Sequence, residues 1–213
     1  MDAGIAIDDE DVRRTLRAWI EASIPPLHGW ATVEKGLALA ELVYATRAES
    51  SVEIGVFGGR GTISMALGHR AAGRGVVTAI DPWEAGAALE GENSPENDEW
   101  WQKIDYEEIF QHFVGALEAC GLSGQCRILR KRSHDAVTLF EDESISVLHQ
   151  DGNHSEKVSC AEVQSWGPKV GPGGYWVADD TDWPTTRRAQ EMLLERGFRV
   201  IEDRGAWRVY QKP

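Results

Sequence analysis

The sequence SVEIGVFGGRGT, residues 51–62, decides the fold of this chain. Apolar residues predict a buried strand over Ser51–Phe57, and a helix is predicted over Thr62–Ala71, directly after a turn rich in glycine. Glycine permits a sharp turn and close approach of a ligand, and the N-terminus of the next helix offers free N–H groups. The turn therefore indicates a site for a nucleotide-like ligand. Its spacing does not match the G-x-G-x-x-G dinucleotide pattern cleanly, so a plain strand-to-helix turn is the alternative.

Strands and helices alternate through the rest of the chain. Further strands are predicted over Gly75–Asp81, Cys126–Lys131, Ile145–Asp151 and Gly174–Asp179. Helices are predicted over residues 100–120, 133–140, 155–166 and 185–196. This alternation is typical of an α/β fold with a doubly wound, mostly parallel sheet. The last two predicted strands, Phe198–Asp203 and Ala206–Gln211, flank Arg204-Gly205 and predict a C-terminal antiparallel hairpin.

Two helices are predicted before the glycine turn. Apolar residues at helical spacing place the first over residues 9–23, capped by Asp8 or Asp9, and the second over residues 32–47. We expect an N-terminal helical extension, residues 1–48, and one ligand-binding domain, residues 49–213. Because neither helix is needed to complete the sheet, they are expected to cover the active site or to form a homo-oligomer contact.

Composition limits the partners of the protein. The 213 residues carry a formal net charge of −13, which disfavours binding to nucleic acid or to an anionic membrane. No apolar run reaches the ~18 residues that a membrane-spanning helix needs. The three cysteines are scattered and fit neither a disulfide framework nor a zinc site, which indicates free thiols in a reducing cytoplasm. The expected partner is a small molecule.

Carboxylates follow three of the predicted strands. Asp81 ends the second strand, where it can accept hydrogen bonds from both hydroxyls of a ribose. Asp151 ends the fourth strand, and Asp179 and Asp180 end the fifth. In doubly wound order the first, fourth and fifth strands are neighbours ~4.8 Å apart, so their ends converge. Converging carboxylates repel unless a positive group joins them, and Mg²⁺ suits such oxygen ligands. The alternative is that these acids form turns and helix caps.

Together, the glycine turn and Asp81 resemble those of class I S-adenosylmethionine-dependent methyltransferases. In this resemblance the cofactor is S-adenosyl-L-methionine, and the turn that holds its methionine part comprises Glu53, Gly55, Gly58, Gly59 and Gly61. Asp81 takes the place of the ribose acid, and Trp83 is expected to touch the adenosine. Ser133-His134-Asp135 resembles a Ser-polar-Asp segment of the catechol-type enzymes, which implies that Ser133 and His134 flank the adenine. A plain helix N-cap is the alternative for Ser133.

The strand-end acids resemble those of metal-dependent O-methyltransferases that act on sugars of macrolides and related natural products. That resemblance implies Mg²⁺ held by Asp151, Asp179 and Asp180, with His154 as the base. Asp151 and His154 are then the catalytic residues, and the acceptor is a hydroxyl of a small molecule such as a sugar-bearing natural product. Three alternatives stay open: a metal-independent methyltransferase with His154 as sole base, an NAD-type oxidoreductase, and a non-catalytic protein that binds S-adenosylmethionine.

Tryptophans and an acidic segment complete the predicted site. Trp30 and Trp183 are placed to wall a substrate with an apolar or sugar face, although core packing is the usual role of tryptophan. Residues 84–99 contain six acids together with glycine, asparagine and proline. They predict a mobile loop, acting either as a lid over the bound ligands or as a solvated surface segment.

Overall fold

The computed structural model describes residues 9–92 and 94–213. A seven-stranded sheet in the order β3-β2-β1-β4-β5-β7-β6 forms its centre. The strands are β1 (Ser50–Ile54), β2 (Val76–Ile80), β3 (Cys126–Leu129), β4 (Ile145–Gln150), β5 (Val170–Asp179), β6 (Arg199–Asp203) and β7 (Trp207–Gln211). Neighbouring strands from β3 to β5 pair in parallel, and β7 is antiparallel to both β5 and β6.

Helices cover the sheet on both faces. They are α1 (Glu10–Ser23), α2 (Val33–Ala45), α3 (Arg60–Ala72), α4 (Ala85–Ala88), α5 (Pro95–Gln102), α6 (Tyr106–Ala119), α7 (Ser133–Ala136), α8 (Glu156–Trp166) and α9 (Arg187–Glu195). Two groups of buried apolar side chains, one on each face, form the core. The predicted fold class, a doubly wound α/β sheet with an antiparallel C-terminal hairpin, is confirmed.

The segment from residue 84 to residue 120 differs from its prediction. Residues 84–99 contain α4 and most of α5, and the single helix predicted over 100–120 is two helices that meet near Ile104. Capping explains both differences. The Ser94 hydroxyl accepts a hydrogen bond from the amide of Asn97 ahead of a helix that begins with proline, and the Asp105 carboxylate accepts one from the amide of Glu108. These caps start α5 and α6 separately.

The N-terminal helices share one core with the sheet. Leu37 and Leu39 of α2 belong to the same buried group as Ile63 and Met65 of α3. The two helices approach closely at glycine, because a Cβ at Gly36 would collide with the Ser64 hydroxyl. α2 therefore packs against α3 in the main core, while the domain boundary at residue 48 and the homo-oligomer contact stay predictions.

Asp9, one of the two predicted caps, is the N-cap of α1. The Asp9 carboxylate accepts hydrogen bonds from the amides of Asp11 and Val12, and Asp8 lies outside the described residues. Across the described parts of the chain, no helix is both long enough and apolar enough to cross a membrane.

Candidate active site

A cavity of about 700 Å³ opens where β1, β2 and β4 end. Its lining includes Gly55 after β1, Asp81 after β2, Asp151 after β4 and Asp180 after β5. This is the crevice in which doubly wound sheets bind ligands. The structure thus brings the glycine turn together with Asp81, Asp151 and Asp180, while Asp179 is not part of this lining.

Glycine is required in the turn because other chain segments approach it closely. Gly55 has a φ of +82°, and a Cβ there would collide with the carbonyl oxygen of Asp151. Gly55 and Gly61 line the cavity. Gly58 and Gly59 do not: they back onto His28 and Phe113 instead. The close approach of His28 and Phe113 explains why glycine stands at these two positions, and their contact with a cofactor stays a prediction.

Asp81 organises the glycine turn. Its Oδ2 accepts hydrogen bonds from the amides of Val56 and Phe57, both at 2.9 Å, and its Oδ1 accepts one from the amide of Trp83 at 2.7 Å. Burial raises the pKa of this carboxyl, and the three amide donors oppose that shift. Asp81 lines the cavity, and its contact with a ribose stays a prediction.

Trp83 does not face the cavity, which corrects the prediction that it touches adenosine. The indole is buried against α6, with ring centroids 4.8 Å from Phe110 and 5.8 Å from Phe113. Its Nε1 donates to the carbonyl oxygen of Phe57. Trp83 has a φ of +48°, so the chain turns immediately after Asp81 and directs the ring into the core.

A lysine that the sequence analysis missed joins two of the predicted metal ligands. Lys35 of α2 is almost fully buried, and its ammonium forms an ion pair with Asp179 and lies 3.4 Å from Asp151 Oδ2. Burial lowers the pKa of Lys35, but the two carboxylates outweigh it and raise the pKa above its usual value. The lysine therefore supplies positive charge that the converging acids need.

The pKa values of the two carboxylates beside Lys35 are shifted in opposite directions. Burial raises the pKa of Asp151 well above its usual value, and the neighbouring Asp179 adds to that shift. Burial also raises the pKa of Asp179, but the Lys35 ammonium and hydrogen bonding with Asp151 outweigh that effect and hold the pKa below the usual range. Asp179 is thus the ionised partner of the lysine, and Asp151 is the acid that takes up a proton more readily.

His154 joins the remaining acid. Its Nε2 lies 2.9 Å from Asp180 Oδ2 and 3.9 Å from Asp151 Oδ1. Asp180 therefore lies at ion-pair distance from the His154 ring, and Asp151 lies farther away. His154 lines the cavity, and it stands in the geometry of a histidine base oriented by an acid.

Comparison with known proteins identifies the chain. A family described as a methyltransferase domain matches residues 52–181. The chain belongs to the methyltransferase-domain family. The resemblance to class I S-adenosylmethionine-dependent methyltransferases is confirmed by this match, which removes the NAD-type oxidoreductase alternative.

Solved structures share the fold of this methyltransferase. The O-methyltransferase NovP is 18% identical, with a TM-score of 0.71 over 95% of this chain and 99% of NovP. The O-methyltransferase TomG from Streptomyces achromogenes is 18% identical, with a TM-score of 0.61 over 97% and 92%. An O-methyltransferase from Bacillus cereus is 14% identical, with a TM-score of 0.58 over 97% and 93%. At these identities the likeness shows the fold alone.

A curated sequence matches a shorter stretch of the methyltransferase. The uncharacterized protein y4gI of Sinorhizobium fredii is 36% identical over 56 residues, which are 26% of this chain and 6% of y4gI. The chain therefore spans only a small part of the length of that relative.

The predicted adenine contacts lie on the cavity wall. Ser133 and His134 both line it, and His134 is largely exposed. Ser133 is the first residue of α7 rather than its cap, and its hydroxyl donates to Glu162 Oε1 at 2.7 Å. This corrects the N-cap alternative. Glu162 is buried, and burial raises the pKa of its carboxyl.

The three predicted magnesium ligands are only partly brought together in the methyltransferase. Asp151 and Asp180 line the cavity, whereas Asp179 lies behind them beside Lys35. The ammonium of Lys35 and the imidazole of His154 lie between the acids. The side chains follow one another in the order Asp179, Lys35, Asp151, His154, Asp180. Lys35 and His154 therefore link the predicted ligands to one another, and the three acids do not surround a single open position for an ion.

A different set of side chains in the described residues comes within the reach of one ion. Ligand atoms of Glu53, His149 and Asp151 lie within 4.8 Å of one another. Glu53 bonds His149 Nδ1 at 2.8 Å and also accepts from the Thr62 hydroxyl, so it is satisfied without an ion. His149 Nε2 is buried and 3.8 Å from Asp151 Oδ2. Because Lys35 faces the same carboxylate oxygen, its ammonium already provides the positive charge there.

Proposed function

We propose that this methyltransferase moves a methyl group from S-adenosylmethionine to a hydroxyl of a small molecule, with His154 as general base. One observation carries the proposal: a single cavity is lined by the glycine turn, by Asp81 and by the His154–Asp180 pair. The choice of donor is supported by relatives of the same fold, since TomG is described in complex with S-adenosylmethionine and the Bacillus cereus enzyme with S-adenosylhomocysteine.

The donor end of the cavity fits a nucleoside with a polar tail. Gly55 and Gly61 leave the turn free of side chains, and Asp81 keeps the amides of that turn in place. Ser133 and His134 form the wall proposed for the adenine. When bound, the cofactor supplies an electrophilic methyl group on a sulfonium.

His154 performs the proton transfer in this proposal. The acceptor oxygen gains the methyl carbon as the carbon–sulfur bond breaks and S-adenosylhomocysteine leaves, and the hydroxyl proton passes to the His154 imidazole. Asp180, whose Oδ2 lies 2.9 Å from Nε2, stabilises the imidazolium that forms. A positioned base of this kind contributes roughly 10²–10⁴-fold to rate.

A divalent cation fits the acids by donor type and by charge. If an ion were bound and all three carboxylates were ionised, Asp151, Asp179 and Asp180 with Lys35 would leave two negative charges, which one Mg²⁺ would balance. Asp151 and Asp180 would hold the ion from the cavity side, with Asp179 behind them. Such an ion lowers the pKa of a bound hydroxyl. The magnesium requirement is therefore part of the proposal.

The second candidate is a metal-independent methyltransferase. It is favoured by Lys35 and His154, which already lie between the acids that an ion would bridge. In that case Asp151 and Asp179 anchor α2 through Lys35, and His154 with Asp180 is the complete proton-transfer unit.

Binding measurements test the donor site. We expect isothermal titration to show binding of S-adenosylhomocysteine and not of NAD⁺. Asp81→Ala leaves the amides of Val56 and Phe57 without their acceptor, so affinity should fall by about tenfold or more. Asp142→Ala, a surface change at a residue paired with Lys169, is the control and should bind as wild type does. Equal affinity in both variants would contradict the role of Asp81.

Metal binding separates the two candidates. The complex with S-adenosylhomocysteine is titrated with Mn²⁺, and the titration is repeated on Asp151→Asn and Asp180→Asn. A site that is present in wild type and weakened in both variants supports the metal-dependent enzyme. A wild-type protein that binds S-adenosylhomocysteine but no Mn²⁺ points to the metal-independent one.

A further inference from the structure

We infer that the acceptor hydroxyl is carried on a planar aromatic ring that is uncharged or positively charged, held between Trp183 and an aromatic wall that includes Trp30. The inference rests on the proposed function and deepens it, because it names the chemical class of the acceptor. It also departs from the sugar-bearing acceptor that the sequence resemblance implies.

Exposed indoles are concentrated at this cavity. Trp30 is 66% exposed, Trp183 42% and Trp100 41%, and all three line the cavity. Large aromatic side chains are normally buried. A cluster of them that exposes apolar surface to water therefore marks a binding site. A flat ring placed against them would remove this apolar surface from water, at about 25 cal/mol per Å².

One of the indoles lies beside the proposed base. The ring centroids of Trp183 and His154 are 5.4 Å apart, with an angle of 61° between the ring planes. Trp183 follows the strand-end acids closely in sequence, and its amide donates to the carbonyl oxygen of Asp180. A ring that packs on Trp183 therefore presents its substituents near His154.

A second aromatic wall of the cavity begins on the glycine turn itself. Trp30 stacks on Phe57, with centroids 5.5 Å apart and ring planes 15° apart, and Trp100 and Trp101 pack around that pair. Arg60 fixes the segment that carries Trp30 by donating to the carbonyl oxygens of Leu27 and Ala31. The aromatic wall is thus attached to the motif that holds the methyl donor.

Charge limits the acceptor further. Carboxylates outnumber the lysine and arginine side chains that line the cavity. Two of these cations are already paired with acids, since Arg132 contacts Glu84 and Glu90, and Lys157 lies 3.7 Å from Glu90. An acceptor bearing a carboxylate or phosphate would be repelled, whereas a neutral or cationic ring would not.

Matched naphthols test this inference. The protein, with and without S-adenosylhomocysteine, is titrated with 2-naphthol, 6-hydroxy-2-naphthoate, 6-(aminomethyl)-2-naphthol and methyl α-glucopyranoside. We expect the neutral and cationic naphthols to bind at least tenfold more tightly than the naphthoate and the glucoside. Trp30→Ala and Trp183→Ala should each lower the affinity for 2-naphthol by about tenfold. Trp19→Ala, which removes a tryptophan of α1 stacked on Arg70, should leave that affinity unchanged.

Each outcome is decisive. Tighter binding of the glucoside or the naphthoate overturns the inference, as does 2-naphthol affinity that is unchanged in both cavity variants. Thermal unfolding of every variant separates a lost contact from a lost fold, and Trp30→Phe, which retains a ring, should preserve most of the affinity. If naphthols bind as expected but S-adenosylhomocysteine does not, the proposed function fails while the ring site stands.

Discussion

At the scale of single residues, the sequence located the acids but not the cation between them. Asp81, Asp151 and Asp180 could be placed because each directly follows a strand, and strand order fixes where strand ends meet. Lys35 could not, because it lies on α2, which precedes β1 and whose position the alternation of strands and helices does not fix. The available signal was the one lysine of α2, which is followed by the apolar residues 36–40, of which Leu37 and Leu39 are buried.

Lys35→Met tests the buried ion pair. Removing the ammonium leaves Asp151 and Asp179 facing each other without a counter-charge, so the free energy of unfolding should fall by about 3 kcal/mol or more. Urea denaturation near pH 7 measures it. Lys103→Met, which removes an exposed lysine paired with Glu99, should cost less than about 1 kcal/mol. Equal losses in the two variants would show that Lys35 contributes no more than a surface charge.

At the scale of elements, periodicity placed the sheet and its helices, while caps decided what periodicity could not. The strands that surround the site have alternating or continuous apolar runs, and their bounds differ from the predicted ones by a few residues. Between β2 and β3, the polar composition led to the prediction of a loop where the structure has two short helices, α4 and α5. Ser94 before a proline, and Asp105 three residues before Glu108, are N-terminal signals that composition alone did not reveal.

Asn153→Asp tests how the segment around α4 is held over the cavity. The Asn153 amide nitrogen lies 2.8–3.1 Å from the carbonyl oxygens of Ala87, Ala88 and Glu90, while its Oδ1 accepts from the amide of Ser155. Aspartate keeps the acceptor but loses the donor and faces three carbonyl oxygens with a negative charge.

Amide hydrogen exchange is the measurement for this variant. We expect exchange in residues 85–90 to quicken by about tenfold in Asn153→Asp, with the strands unchanged. Asn97→Asp adds the same charge to the first turn of α5 and serves as the control. Exchange that stays at the wild-type rate in Asn153→Asp would mean that other contacts hold the segment.

At the scale of the whole molecule, the fold followed from rules that need no knowledge of the ligand. Right-handed crossovers and short connections leave few ways to order five parallel strands, and the observed order is the doubly wound one. What the rules left open was how the N-terminal helices attach. Their attachment depends on side-chain fit, such as Gly36 of α2 against Ser64 of α3, which no periodicity encodes.

Buried histidines give the whole molecule a predictable response to acid. His69 is fully buried, bonded through Nε2 to the Ser51 hydroxyl at 2.8 Å and through Nδ1 to the carbonyl oxygen of Arg74 at 3.0 Å. Burial lowers the pKa of His69 below its usual value. Below the unfolded pKa of about 6.5, His69 is protonated in the unfolded chain but stays neutral in the folded one. The free energy of unfolding therefore falls as the pH drops below that value.

Urea denaturation between pH 7.5 and 5 measures this response. Within the window between the folded and unfolded pKa values, His69 removes up to about 1.4 kcal/mol of stability per pH unit. Buried acids such as Glu162, whose pKa is raised by burial, act in the opposite direction at lower pH. The informative quantity is therefore the difference between wild type and His69→Gln. The variant should be less stable at pH 7.5 but lose stability less steeply below pH 6.5, and parallel curves would show that His69 takes up no extra proton on unfolding.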